Sequence, residues 1–239
     1  MKRYKHWLAG VKDGFPIFLG YFAVSFTFGI AAKNVGLDPL QAALMSATNF
    51  TSAGQLAAIG LIESSASYIE MAFTQLIINL RYCLMSSALS QKLHPSTPTY
   101  HRLFVAFGNT DEIFGVSSAK EGYISPYYSY GLMTLPLPGW TLGTLLGVIS
   151  GSLLPQRVIS ALSIALYGMF IAVIIPPSRK SKVIAGVVVT AMVLSSLFTY
   201  IPVLSTVPSG FRIIILTLLI AGGAAILFPV KDEVKEAAK

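Results

Sequence analysis

Charge is scarce in this chain. Only 11% of its 239 residues are Asp, Glu, Lys or Arg, while 54% are hydrophobic. A soluble globular domain is roughly a quarter charged, so there is too little charge to wet a soluble protein of this size. Disorder, a coiled coil and an ordinary cytosolic enzyme are therefore not expected. Cysteine is almost absent. The single Cys83 cannot form an internal disulfide, and in an apolar segment it is expected to pack rather than react. The three histidines, His6, His94 and His101, show no metal-ligand spacing, so no metal site is expected. A Gly-rich nucleotide loop and a nucleophile–base arrangement are also missing. Asp111 and Glu112 are adjacent, whereas aspartyl proteolysis needs two acids from separate helices. The composition argues for neither an enzyme nor a cofactor. Acids number 10 against 17 Lys plus Arg, a net charge of +7. The excess sits at Lys2, Arg3, Lys5, Arg179, Lys180 and Lys182, in tails and loops. That pattern fits the positive-inside rule better than a groove tracking nucleic-acid phosphates.

What the chain does have is long apolar runs with polar punctuation. They predict an all-α, polytopic integral membrane protein with about seven to eight hydrophobic segments. The runs lie at roughly 15–33, 40–62, 68–90, 103–119, 129–152, 158–176, 183–201 and 211–229. Turn signals separate them, among them Gly36-Leu37-Asp38-Pro39, His94-Pro95, Ser125-Pro126, Leu154-Pro155 and Pro176-Pro177. The run from Phe15 to Ala32 is too long for a signal-peptide core and reads as an uncleaved first helix. No soluble domain fits anywhere, so residues 1–239 are expected to form one transmembrane transporter domain. The basic N-terminus and the Arg179–Lys182 loop should both be cytoplasmic, with the C-terminus on the same side. Eight full crossings leave Lys92 and Arg102 outside. A broken or re-entrant second segment with a fourth that falls short of spanning moves that loop inside. Residues 15–62 and 130–176 show a weak internal likeness.

Polar residues are distributed unevenly. The stretches 125–153, 158–178 and 183–210 carry no charge. In the first of them Gly139, Gly143, Gly147 and Gly151 recur every fourth residue and make a bare ridge, expected to serve close helix packing. The segment 40–62 instead concentrates Ser46, Thr48, Asn49, Thr51, Ser52 and Gln55 near its centre. On a continuous helix Thr48, Thr51, Ser52 and Gln55 share one face. Gly54 would allow a break there that exposes backbone groups to a ligand. The segment 68–90 centres on Asn79. Arg81 points away from Asn79 and needs an anionic partner or a route to the interface. The segment 103–119 carries Asp111-Glu112 at its centre, either solvated and capping a short helix, or facing an aqueous cavity with one acid paired to Arg81. Three successive segments thus place their most polar residues near their own middles, which points to one polar pocket at half-membrane depth. The candidate substrate-binding residues are Thr48, Asn49, Thr51, Ser52, Gly54, Gln55 and Asn79. Arg81, Asp111 and Glu112 are the candidates for ion coupling or a charge pair.

These motifs resemble the AzlC family, the large subunit of branched-chain amino acid exporters of the YgaZ and BrnF type. The likeness rests on Asp13-Gly14-Phe15-Pro16 with Gly20 and Phe28-Gly29, on Met45-Ser46 leading to Ser52-Ala53-Gly54-Gln55, and on Asn79-Leu80-Arg81-Tyr82 followed by Met85-Ser86. Thr110-Asp111-Glu112 and Trp140 with Gly143 and Gly147 complete it. The chain departs at Ser163-Ile164-Ala165, where an Asp is expected in many members. The resemblance implies export of Leu, Ile and Val, with Met as a further candidate, by alternating access. It also implies a small membrane subunit of the AzlD or YgaH type as partner, and residence in a bacterial or archaeal cytoplasmic membrane. Proton antiport fits a buried acid. A membrane channel, or a structural subunit of another transport complex, is the alternative.

Overall fold

The computed structural model describes residues 2–151 and 181–228, with 153, 155, 157, 158, 171, 174, 175 and 177–179 between them. The described residues are helical, without a strand. Among the described residues, four helices are long and apolar enough to cross a membrane: Arg3–Asn34, Pro126–Ser150, Lys182–Tyr200 and Gly210–Leu227. The chain forms two compact units, residues 1–63 with 79–168, and residues 64–78 with 169–239.

In the first unit, α1 (Lys2–Asn34) lies against α7 (Pro126–Thr134) and α8 (Pro136–Ser150). Pro136, which lacks an N–H and crowds the preceding turn, marks the junction of α7 and α8. The pair runs parallel. Gly10 meets Tyr128 and Leu132, Phe18 meets Gly139, Phe22 meets Gly143, Phe26 meets Gly147 and Ile30 meets Gly151. The four-residue glycine ridge is therefore spent on internal packing, and glycines of α1 reciprocate at Gly10, Gly14 and Gly29.

Two shorter helix pairs complete this unit. The first is α2 (Pro39–Thr48) with α3 (Ala53–Glu63). Asp38 caps α2, accepting from Gln41 N at 2.8 Å while Gln41 Oε1 accepts from Asp38 N at 3.0 Å. Ala42 of α2 and Ile59 of α3 both pack with Phe28, Ala32 and Val148. The pair therefore doubles back and ends near the level where it began. The second is α5 (Thr99–Phe107) with α6 (Asp111–Ser118). Val105 and Ile113 share a cluster with Leu89, Leu93, Ile124, Tyr128 and Leu132. The base of this hairpin is tied to the end of α4 (Tyr68–Lys92). Arg102 donates to Ser90 Oγ at 2.7 Å and His94 O at 2.9 Å, and Lys92 Nζ donates to Lys120 O at 2.6 Å. Lys120 in turn pairs with Asp13 at 2.9 Å. One hairpin thus enters from the C-terminal end of α1 and the other from its N-terminal end.

The segments 40–62 and 103–119 are each two short helices joined by a non-helical turn, which is the broken form expected for the second segment. Segment 68–90 is α4, which carries Glu70, Arg81 and Lys92. Segment 158–176, the second helix of the later copy (130–176) in the internal likeness, and Ser163-Ile164-Ala165 lie almost wholly outside the described residues.

In the second unit, α9 (Lys182–Tyr200) packs on α11 (Ser209–Leu227), joined by the short α10 (Pro202–Ser205). Ser181 caps α9 by accepting from Ile184 N at 3.4 Å. The buried Glu70, from the first turns of α4, accepts from Gly210 N at 2.9 Å. A carboxylate at the first turn of α11 is favoured by the exposed N–H groups and the helix dipole.

Candidate functional site

Both hairpins stop being helical at their tips for reasons written in their residues. In Thr48-Asn49-Phe50-Thr51-Ser52 the short polar side chains compete with the helix for its own backbone groups. Thr48 Oγ1 donates to Leu44 O at 2.7 Å, and Thr51 Oγ1 donates to Asn49 Oδ1 at 2.6 Å. Asn49 is extended, and Ser52 sits at φ +39°, a left-handed conformation that costs a non-glycine residue roughly 1–2 kcal/mol. The break falls at 49–52, ahead of the Gly54 break expected from sequence. In the second hairpin Gly108-Asn109 ends α5, and Thr110 caps α6 by accepting from Ile113 N at 3.4 Å. Asp111 and Glu112 then occupy the first turn, where negative charge is favoured.

The two tips meet. Phe50 and Phe107 pack edge to face, with ring centroids 5.6 Å apart. Beside them lies a cleft of ≈ 190 Å³ lined by Thr48, Asn49, Phe50, Thr51, Asn79, Tyr82, Ala106, Phe107 and Asn109. None of these side chains is charged. The tips reach the middle of α1 and of the α7–α8 pair. Tyr21 Oη donates to Glu112 and is hydrogen-bonded to Thr110 Oγ1 at 2.6 Å, and the Tyr21 ring packs edge to face on Trp140 at 5.2 Å.

Arg81 and Asp111 pair at 2.8 Å, with side chains 40% and 25% exposed. Arg81 also donates to Tyr82 Oη at 3.2 Å and lies over its ring. Both acids are therefore engaged, one by a guanidinium of α4 and the other by a phenol of α1. Together these contacts fix the second tip.

Of the sequence candidates, the cleft gathers Thr48, Asn49, Thr51 and Asn79, with Ser52 at the tip and Arg81, Asp111 and Glu112 in the clasp behind it. Gly54 and Gln55 stand apart. Gln55 is fully buried, donating from Nε2 to Ser46 Oγ at 3.0 Å and accepting from Trp140 Nε1 at 2.8 Å. Ser46 and Thr144 extend the chain at 2.7 Å. The shared face expected for Thr48, Thr51, Ser52 and Gln55 requires one helix, and the turn at the tip carries Gln55 inward. Gln55→Ala would orphan the Trp140 N–H, so it should lower the thermal stability of the purified protein by about 1–3 kcal/mol. Thermal unfolding of the purified variant beside the wild type reads that loss. Tyr21, Tyr82, Phe107 and Asn109 were not among the sequence candidates. Gly108-Asn109 was a readable helix-breaking pair, whereas a lone tyrosine in an apolar run gives no signal.

The family profile described as AzlC protein matches residues 16–154. A membrane protein of Archaeoglobus fulgidus is 35% identical over 182 residues, covering 74% of this chain and 78% of its own length. The inner membrane protein YgaZ of Escherichia coli is 27% identical over 182 residues, covering 73% of this chain and 74% of YgaZ. A membrane protein of Helicobacter pylori is 28% identical over 152 residues, covering 61% of this chain and 66% of its own. No solved structure matches the chain.

Proposed function

This chain belongs to the AzlC family of membrane proteins, and we propose that it exports branched-chain amino acids across the cytoplasmic membrane by proton-coupled alternating access. Leu, Ile and Val are the proposed substrates, with Met as a further candidate. The proposed partner is a small AzlD- or YgaH-type membrane subunit. The observation that carries the reading is the meeting of two oppositely entering hairpin tips over an uncharged cleft. Broken helices that meet at mid-depth are the usual construction of a transporter binding site, because their unwound backbone and small polar side chains replace water around a polar solute.

The lining favours a small molecule without net charge. A cleft of ≈ 190 Å³ is below the size of drug-sized pockets and suits a single amino acid. Phe50 and Phe107 supply an apolar wall for a branched side chain. Thr48, Asn49, Thr51 and Asn79 supply hydrogen bonds to a zwitterionic head, with Ser52 and the turn before Gly54 at its margin. The N-terminal basic residues share an end of the first unit with Lys92, Arg102 and Lys120, which favours a cytoplasmic N-terminus. With the Arg179–Lys182 loop also basic, the C-terminus is assigned to the same side.

Counterflow in proteoliposomes, with and without the small subunit, tests the reading. Internal unlabelled leucine should drive uptake of labelled leucine. Thr51→Val, which keeps shape and removes the hydroxyl, should weaken that exchange about tenfold while the protein accumulates normally. Leucine flux without trans-stimulation would point to a channel instead. No leucine flux at all would leave a structural subunit as the better account.

A further inference from the structure

We infer that Asn109 is the acceptor for the ammonium group of the bound amino acid, through its side-chain amide oxygen. The inference rests on the amino-acid transport reading above and adds to it a residue and a recognition rule. Asn109 is 3% exposed and forms part of the wall of the cleft between the hairpin tips. Its Nδ2 donates to Ser86 Oγ at 3.2 Å, and its backbone N–H donates to Ala106 O at 3.2 Å. Its Oδ1 is buried and has no hydrogen-bond partner among the described residues. Buried acceptors are nearly always paired, and an unpaired one is a standing cost to the protein. A donor that reaches Oδ1 from the cleft removes that cost as it binds.

The chemistry of the surroundings names the donor. An amino-acid ammonium brings several N–H groups and one positive charge. The carboxylates nearby are already taken, Asp111 by Arg81 and Glu112 by Tyr21. The cleft lining itself has no charge, so a neutral carbonyl oxygen must receive the ammonium. Asn109 lines the cleft, and its buried Oδ1 belongs to the non-helical turn Gly108–Thr110. A small rearrangement of that turn presents it, with no helix to unwind. Recognition by a neutral oxygen also avoids trapping the substrate in an ion pair that would be hard to leave.

The test compares leucine with 4-methylpentanoate, which keeps the carbon skeleton and carboxylate but lacks the ammonium. Affinities come from ligand-induced thermal stabilisation of the purified full chain, extended to other amino acids and their des-amino analogues. The wild type should prefer the ammonium-bearing ligand by at least about tenfold. Asn109→Leu should collapse that preference. Asn109→Asp, which can still accept but no longer donate, should retain it. Ser86→Ala, which cuts only the other bond of the amide, should also retain it. Preserved preference in Asn109→Leu, lost preference in Asn109→Asp, or no preference in the wild type overturns the inference. If Asn109→Leu does not fold, Asn109→Ala, which also removes the amide oxygen, decides in its place: the preference should collapse, and its survival overturns the inference. Should the wild type ignore leucine but bind another amino acid through Asn109, the inference stands and the branched-chain reading falls. Leucine bound with a preference indifferent to Asn109 gives the reverse.

Discussion

Neutralising Asp111 alone will harm the protein more than neutralising Asp111 and Arg81 together. The two groups pair at 2.8 Å where α6 begins, and each is partly shielded from solvent. Asp111→Asn keeps the shape of the side chain but takes the anionic partner from the guanidinium near the middle of α4, leaving Tyr82 as its partner among the described residues. A charge at the centre of a membrane helix costs about 2.5–3.5 kcal/mol on insertion scales, and the 40% exposure of Arg81 reduces its share of that cost. Removing one member of a shielded pair leaves the other uncompensated, whereas removing both is frequently close to neutral. Asp111→Asn should therefore cut the amount of protein in the membrane fraction by on the order of tenfold. Arg81→Gln with Asp111→Asn should return to within about threefold of wild type. The double variant also separates architecture from coupling. If the pair carries the proton step of the proposed export, the double variant accumulates yet gives no pH-driven leucine efflux. Wild-type efflux from it would reduce the pair to a clasp. Single and double variants accumulating equally would remove even that role. Arg81→Lys should fall between them, because a point charge replaces the planar fork.

The charge pair and the polar tips were legible in the sequence because burial in lipid makes them conspicuous. An Arg at Arg81 needs an acid, and Asp111 and Glu112 were the acids in a neighbouring apolar run. The four apolar helices were legible for the same reason, with ends within a few residues of the hydropathy runs except at α1, whose basic start is also helical. Chain direction was less readable. Hydropathy counts apolar residues without saying whether a segment crosses or returns, so full crossings and a broken second segment with a short fourth both fitted 40–62 and 103–119. The misplaced Lys92 and Arg102 and the break allowed by Gly54 hinted at the hairpins, and the hairpin geometry brings both basic residues to the basic end of the first unit. Helical spacing then misassigned Gln55, since the face argument assumed a helix that ends at Thr48. Tyr21 and Trp140 could not be assigned by periodicity, because their partners are more than eighty positions away. Glu70 was unassigned as well, and its partner Gly210 is 140 residues distant.

The two glycines of α1 at positions 20 and 29 will answer to substitution in opposite ways. A Cβ at Gly29 would overlap the Thr144 carbonyl and lie 2.9 Å from Val148 N and 3.0 Å from Gly147 Cα. All three are backbone atoms of α8, so no side-chain rotation relieves the conflict. α1 and α8 must separate, and the Phe28–Val148 cluster at the base of the first hairpin opens with them. Overpacking a side chain against other side chains typically costs about 1–3 kcal/mol, and backbone against backbone has less room to adapt. Gly29→Leu should leave almost no folded protein, and Gly29→Ala should lower the thermal midpoint by several degrees. A Cβ at Gly20 meets nothing within 4 Å. Gly20→Ala should be neutral, or more stable by up to about 1 kcal/mol because the unfolded chain loses freedom. Melting curves of the two alanine variants in the same detergent decide the matter. Equal stability would mean that α1 and α8 do not meet through their glycines. The two hairpins would then lose the parallel scaffold that brings their tips together.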